Sequence, residues 1–227
     1  MTEFKVPVDL EKVKKIALKG DWDDVVINFD SYDETAVINL SNTLMFLSLA
    51  FRYPDVKVYS RLKESAKYFD DFFEAYAGKT LHVEKADDMQ VEYVRLFVAN
   101  KDGVPASPYA SVYLSDDGLL FSDHLLKLRD LMLKTGFELK EDYKDLEDNI
   151  HIMLEYMSIM IGRLNVDGIS AAKGFFLVAY GLVLPMCEKF CKKIIESAEL
   201  DFYKVLALGL LEFINDLDGI VEEVFSE

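Results

Sequence analysis

Glu92-Tyr93-Val94-Arg95-Leu96-Phe97, and then Gly103-Val104-Pro105-Ala106-Ser107-Pro108-Tyr109-Ala110-Ser111-Val112-Tyr113, form the passage on which the reading of this chain turns. The first run places Tyr93, Leu96 and Phe97 on one helical face, because residues three and four apart are neighbours on a helix surface. The second run contains Gly103, Pro105 and Pro108, so residues 100–113 are not an ordinary helix. Two prolines stiffen an extended backbone, and Tyr109 and Tyr113 stand beside them. Such a segment makes a groove wall at low entropic cost. The same pattern also suits a linker between helices whose aromatics belong to the core.

Helix signals dominate on both sides of this break. Upstream, residues 8–19 read as a short amphipathic helix. Ser31 and Glu34 make a capping-box pattern ahead of a helix near 32–51. Asp55 can cap a helix running to Ala77, with Gly78 in the stop position, and Asp87 with Gln90 starts another to about Ala99. Downstream, Ser122 or Asp123 restarts a helix that ends at Gly136, and Asp145 begins one to about Leu164. Ser170 begins a long apolar helix expected to kink near Pro185, and Asp201 begins the last. Strand-like alternation is short and confined to residues 23–29 and 112–114. The expectation is an all-α, single-domain bundle of about eight or more helices with a proline-containing central loop. If the chain divides, it does so at 100–117, a possible hinge for a domain-swapped homodimer; the alternative is a monomer.

Composition narrows the function classes. The 227 residues suffice for a full core, 51% of them are hydrophobic, and only 5 prolines and 11 glycines interrupt them. The 25 basic residues face 41 acidic ones, a formal charge of −16. A phosphate backbone would be repelled, so nucleic acid is not an expected partner, whereas a cationic peptide would be attracted. The N-terminal residues 1–19 are charged and show no apolar core of a signal peptide. The most apolar run, 174–187, falls short of the ~20 residues that span a bilayer, so stable membrane insertion is not expected and the cytoplasm is. Cys187 and Cys191, spaced i,i+4, read as two buried thiols in a reducing compartment.

A second informative stretch is Asp148-Asn149-Ile150-His151-Ile152-Met153-Leu154-Glu155-Tyr156-Met157, preceded by Glu138, Glu141, Asp142, Asp145 and Glu147 with only Lys140 and Lys144 to offset them. Acids before a helix favour its macrodipole; they can equally form an acidic mouth for a cationic side chain. Glu147, His151 and Glu155 share a helical face, which raises the alternative of a helical, di-iron-like metalloenzyme. That architecture wants two Glu-x-x-His motifs, and the chain has three histidines and no such motif. A helical scaffold or regulator is the other alternative. There is no nucleophile constellation and no phosphate-binding glycine loop, so no catalytic residue, metal or cofactor is expected.

The segment from Glu92 to Tyr113 resembles the TorD/DmsD family of molybdoenzyme-specific chaperones. That family shows Glu-aromatic-x-x-Leu-Phe, a variable loop, and Pro-x-x-Pro-aromatic-x-Ser-Val-aromatic. This chain supplies Glu92, Tyr93, Leu96, Phe97, Pro105, Pro108, Tyr109, Ser111, Val112 and Tyr113. The family then has an Asp-His pair opening a helix that continues Glu-Leu-x-x-Met. Asp148, Leu154 and Met157 match, while Asn149 replaces the histidine and Met153 the glutamate. His151 comes two residues later, on a different helical face, and is not given the role. The resemblance implies a cytoplasmic, non-enzymatic chaperone that binds the twin-arginine leader of a molybdopterin oxidoreductase precursor until its cofactor is inserted. It further implies a peptide-binding set of Tyr93, Leu96, Phe97, Pro105, Pro108, Tyr109, Ser111, Tyr113, Asp148 and Asn149, with Glu141, Asp142, Asp145 and Glu147 as an acidic rim.

Overall fold

The computed structural model describes residues 2–101, 103–115, 118–140 and 143–226. In chain order the elements are β1 (Thr2–Lys5), α1 (Leu10–Lys19), β2 (Val25–Asn28), α2 (Glu34–Ala50), α3 (Val56–Ser65), α4 (Asp70–Ala77), α5 (Ala86–Tyr93), α6 (Ser111–Leu114), α7 (Asp123–Lys134), α8 (Ile150–Gly162), α9 (Leu164–Val178), α10 (Leu184–Ser197), α11 (Asp201–Asn215) and α12 (Leu217–Phe225). A 3₁₀ turn at Ala66–Phe69 separates α3 from α4, and π-helical turns at Val94–Val98 and Ala179–Val183 follow α5 and α9. The protein is all-α apart from a two-stranded parallel ribbon, Thr2 opposite Val25, that frames α1.

α8 is central because it is apolar nearly all round, and a helix without a polar face must be enclosed. It lies against α2 on one side and α9 on the other, while α10 packs on α11 and α11 on α4. Ser48 ties α2 to α8 by donating to the His151 carbonyl. Close approach is also built in where α1 meets the second π turn: a Cβ at Gly181 would stand 2.8 Å from the Ala17 carbonyl oxygen.

Several sequence expectations are corrected. Residues 112–114 are helical, in α6, because Ser111 can be capped from outside the segment. The cap of α2 is Asp33, which accepts from the Ala36 N–H, rather than Ser31. Asp55 caps α3 as read, but the helix expected to reach Ala77 breaks into α3, the 3₁₀ turn and α4 before Gly78 stops it at φ 73°. α8 starts at Ile150, with Asn149 as its cap, not at Asp145. The apolar run read as 174–187 lies within a helical stretch, Leu164–Ser197, that is kinked at Gly168 (φ 45°, ψ −114°), just before the start read at Ser170. By length and composition it could cross a bilayer, but 72% of its most apolar window is buried inside the protein. Pro185 is accommodated there by the π turn that precedes it, which is how a helix absorbs a missing N–H without ending. Cys187 and Cys191 are buried free thiols with sulfurs 3.6 Å apart, as their spacing suggested.

Candidate functional site

The central loop and the approach to α8 are zipped together. Ala110 N–H donates to the Asp148 carbonyl, Ile150 N–H donates to the Pro108 carbonyl, and Tyr109 and Asn149 form an isolated antiparallel bridge. Ala106 N–H is held by the Leu96 carbonyl. The two motifs singled out in the sequence therefore meet in space, 40 residues apart between Tyr109 and Asn149.

Their side chains serve different purposes. Leu96 and Phe97 lie in the core, where the Phe97 ring meets Phe51, Phe190 and Tyr203. Pro108 is buried and Pro105 half-buried. Tyr113 is almost enclosed: its ring edges onto Phe190 and its hydroxyl donates to the Ser107 carbonyl. Glu92 is a buried clamp. Burial alone would raise its pKa, but the Arg95 guanidinium and the N–H groups of Glu199 and Leu200 hold it below the ordinary carboxylate range.

Asp148 and Ser111 are fully buried and offer no atom to a ligand in this conformation. Asp148 Oδ2 accepts from the Ser111 N–H at 2.8 Å and so caps α6, a different helix from the one it was expected to open. Its Oδ1 is buried without a hydrogen-bond partner among the described residues. Burial raises the Asp148 pKa, and the bonds from Ser111 only partly oppose this.

Asp145, unlike Asp148, is partly exposed. It accepts from the Tyr109 hydroxyl at 2.8 Å, from the Leu146 N–H, and from Asn149 Nδ2 at 3.1 Å, and His151 Nε2 stands 3.5 Å away. Burial would raise its pKa, but these partners, His151 first, hold it below the usual value. Around it stand Tyr93, Tyr109 and Tyr143, with Tyr53 edge-on to Tyr93 at 5.5 Å. Tyr53 and Tyr143 are 44% and 42% exposed, so this aromatic ring is open to solvent on one side. The Tyr109 phenol is driven up by burial and by the Asp145 charge; the Tyr143 phenol is driven up chiefly by burial. The Tyr143 hydroxyl also lies 3.2 Å from His151 Nε2.

The acidic rim is thinner than expected. Glu147 is taken by Arg129 through both carboxylate oxygens, at 2.6 and 2.8 Å. Glu141 and Asp142 lie outside the described residues. Glu155, one helical turn beyond His151, pairs with Arg52. Arg52 and Glu155 line a groove of about 1180 Å³ whose walls include Phe46, Leu49, Phe69 and Phe72. The charges of both residues also reach Tyr143, so the groove adjoins the tyrosine ring. Glu147, His151 and Glu155 do not converge, and among the described residues no group of three or more metal-ligating side chains comes together.

Sequence reasoning missed His151 and the groove. The sequence reading sets His151 aside because it lies two residues beyond Asn149, on a different helical face. With the true start at Ile150, residues 143–149 are a loop that folds back over the first turn of α8 and brings Asp145 to the imidazole.

A family model described as nitrate reductase delta subunit matches residues 57–177. Chaperone protein TorD of Vibrio parahaemolyticus is 25% identical over 133 residues, 56% of this chain and 60% of that protein, so the chain spans about three-fifths of the length of this curated relative. A crystal structure described as a redox enzyme maturation protein from Archaeoglobus fulgidus has the same fold, with a TM-score of 0.56 at 22% identity, covering 77% of this chain and 93% of that one.

Proposed function

The chain belongs to the nitrate reductase delta subunit family, the TorD/DmsD group that its central motif resembles, and from that premise we propose that it is a maturation chaperone for a molybdopterin oxidoreductase precursor. It acts by binding, not by catalysis, and its ligand is the precursor's twin-arginine leader. It holds the precursor in the cytoplasm until the cofactor is in place, and 100–117 is the hinge if two copies exchange halves.

One observation carries this reading: a partly exposed carboxylate, Asp145, set within a ring of tyrosines that adjoins a groove of mixed polarity with an apolar patch at Met45, Tyr68, Phe69 and Phe72. A twin-arginine leader has a guanidinium-bearing part followed by an apolar part. A guanidinium can bond a carboxylate while its face lies on a tyrosine. The apolar part can cover the patch at Met45, Tyr68, Phe69 and Phe72, burying surface on both sides. The overall charge of −16 steers such a peptide inward.

Titration calorimetry with the leader tests the reading. Binding at 1:1 with a micromolar Kd, about −8 kcal/mol, is expected, and replacing both leader arginines by alanine should weaken it more than tenfold. Equal affinity for the two peptides would remove the electrostatic half of the proposal.

A further inference from the structure

Arg52 and Glu155 stand where the tyrosine ring meets the groove, and their pairing differs from the forked pairs Arg95–Glu92 and Arg129–Glu147. Arg52 follows the last turn of α2 and reaches across to α8, where Nη2 donates to Glu155 Oε2 at 2.6 Å. The two side chains are 29% and 28% exposed. Arg52 Nε is buried with no hydrogen-bond partner among the described residues. Among the described residues Glu155 has no other side-chain bond.

The structural pairs look otherwise. Arg95 grips Glu92 through two nitrogens and also donates to the Ser197 carbonyl. Arg129 grips Glu147 through two nitrogens. Both use the fork geometry in which a guanidinium bonds a carboxylate best. Arg52 uses one tooth of the fork and leaves a buried donor without a partner among the described residues, so it engages Glu155 less fully than the two forked arginines engage their glutamates.

We infer that Arg52 is a placeholder, occupying Glu155 until a leader arginine takes its place, and that this exchange sets the site's requirement for arginine over lysine. The inference rests on the leader-binding reading above and assigns a specificity residue within it. Exchange leaves the charge at Glu155 balanced at every stage, since one guanidinium leaves as another arrives. A ligand cation therefore gains little from charge alone; it must bond Glu155 better than Arg52 does. A guanidinium that meets both carboxylate oxygens satisfies that condition. An ammonium, a compact and strongly hydrated point charge, does not. Displaced, Arg52 is long enough to return to the solvent side of the groove without a backbone change.

Three leaders, carrying Arg-Arg, Lys-Lys or Ala-Ala, titrated into wild type, Arg52→Gln and Arg52→Lys test the exchange, with thermal melts as a control for folding. Wild type should prefer Arg-Arg over Lys-Lys. Arg52→Gln should tighten Arg-Arg binding about three- to tenfold and Lys-Lys binding by more, so that the preference narrows, with Arg52→Lys between the two. On a Glu155→Gln background, Arg52→Gln should have no further effect. An Arg52→Gln protein that folds but binds Arg-Arg equally or more weakly, or keeps the wild-type preference, overturns the exchange while leaving leader binding intact. If Arg52→Gln does not fold, Arg52→Lys decides by the same criteria. Should neither wild type nor the variants bind any leader, the leader-binding reading falls and the exchange falls with it.

Discussion

His151 Nε2 stands 3.5 Å from Asp145 Oδ2, although the two residues are separated by a loop and the cap of a helix. The carboxylate–imidazole couple of this protein thus forms across a turn, between positions that helical spacing would keep apart. Asp145 also holds the Tyr109 hydroxyl and the Asn149 amide, so three side chains are fixed around one partly exposed charge.

Asp145→Asn should lower affinity for the leader about ten- to hundredfold, corresponding to the ~1.5–3 kcal/mol of a charge-assisted hydrogen bond. The same variant has a signature in acid. The folded-state pKa of Asp145 lies below its unfolded value of about 3.9. Its contribution to stability is therefore complete above that value and is lost as pH falls through the depressed one. Denaturant unfolding between pH 5 and 2 should show a steeper loss in wild type than in Asp145→Asn.

Asp148 titrates in the opposite sense. Burial raises its folded pKa, so between about 3.9 and that raised value the native protein keeps a proton that the unfolded chain has released, and stability falls as pH rises across this window. Asp148→Asn keeps an oxygen for the Ser111 N–H and removes the buried charge. Its melting temperature at pH 7 should match or exceed that of wild type, with leader affinity unchanged. Asp148→Ala strips the cap from α6 and leaves the Ser111 N–H buried and unpaired, which should cost ~1–3 kcal/mol in denaturant unfolding.

The two tyrosines of the central loop should separate in function. Tyr109→Phe removes a bond to Asp145 at the site, so leader affinity should fall while stability changes by about 1 kcal/mol or less. Tyr113→Ala empties a nearly enclosed ring position against Phe190 and should destabilise by ~3–5 kcal/mol, as large aromatic truncations in a core do. Parallel melts and titrations of the two variants check this; a Tyr113→Ala protein with wild-type stability would contradict the packing described above.

The fold class was legible because apolar periodicity and caps such as Asp55 and Gly78 are local signals, and they appear in the structure where local chemistry governs. The central break was legible for the same reason, through Pro105 and Pro108. What escaped was set by tertiary contact. β1 is four residues of mixed polarity that become a strand only by pairing with β2, across α1. The last residues of the central loop, Ser111–Leu114, become helical because Asp148, 37 residues away, supplies the cap. At the site, residue types predicted the right segments but not which carboxylate faces outward. Asp148 and Glu147 are consumed by Ser111 and Arg129, and that accounting of partners is invisible until the chain is folded.

The central claim is that a twin-arginine leader docks where the Asp145 tyrosine ring meets the Arg52–Glu155 groove. Photo-crosslinking tests it most directly, with a leader bearing a benzophenone beside the arginine pair and the adducts located by mass spectrometry. The account predicts adducts within residues 45–53 and 143–155, suppressed by excess unlabelled leader and lost in Asp145→Asn. Competable adducts concentrated instead on α7 or on α10 to α12, and unaffected by Asp145→Asn, would contradict it.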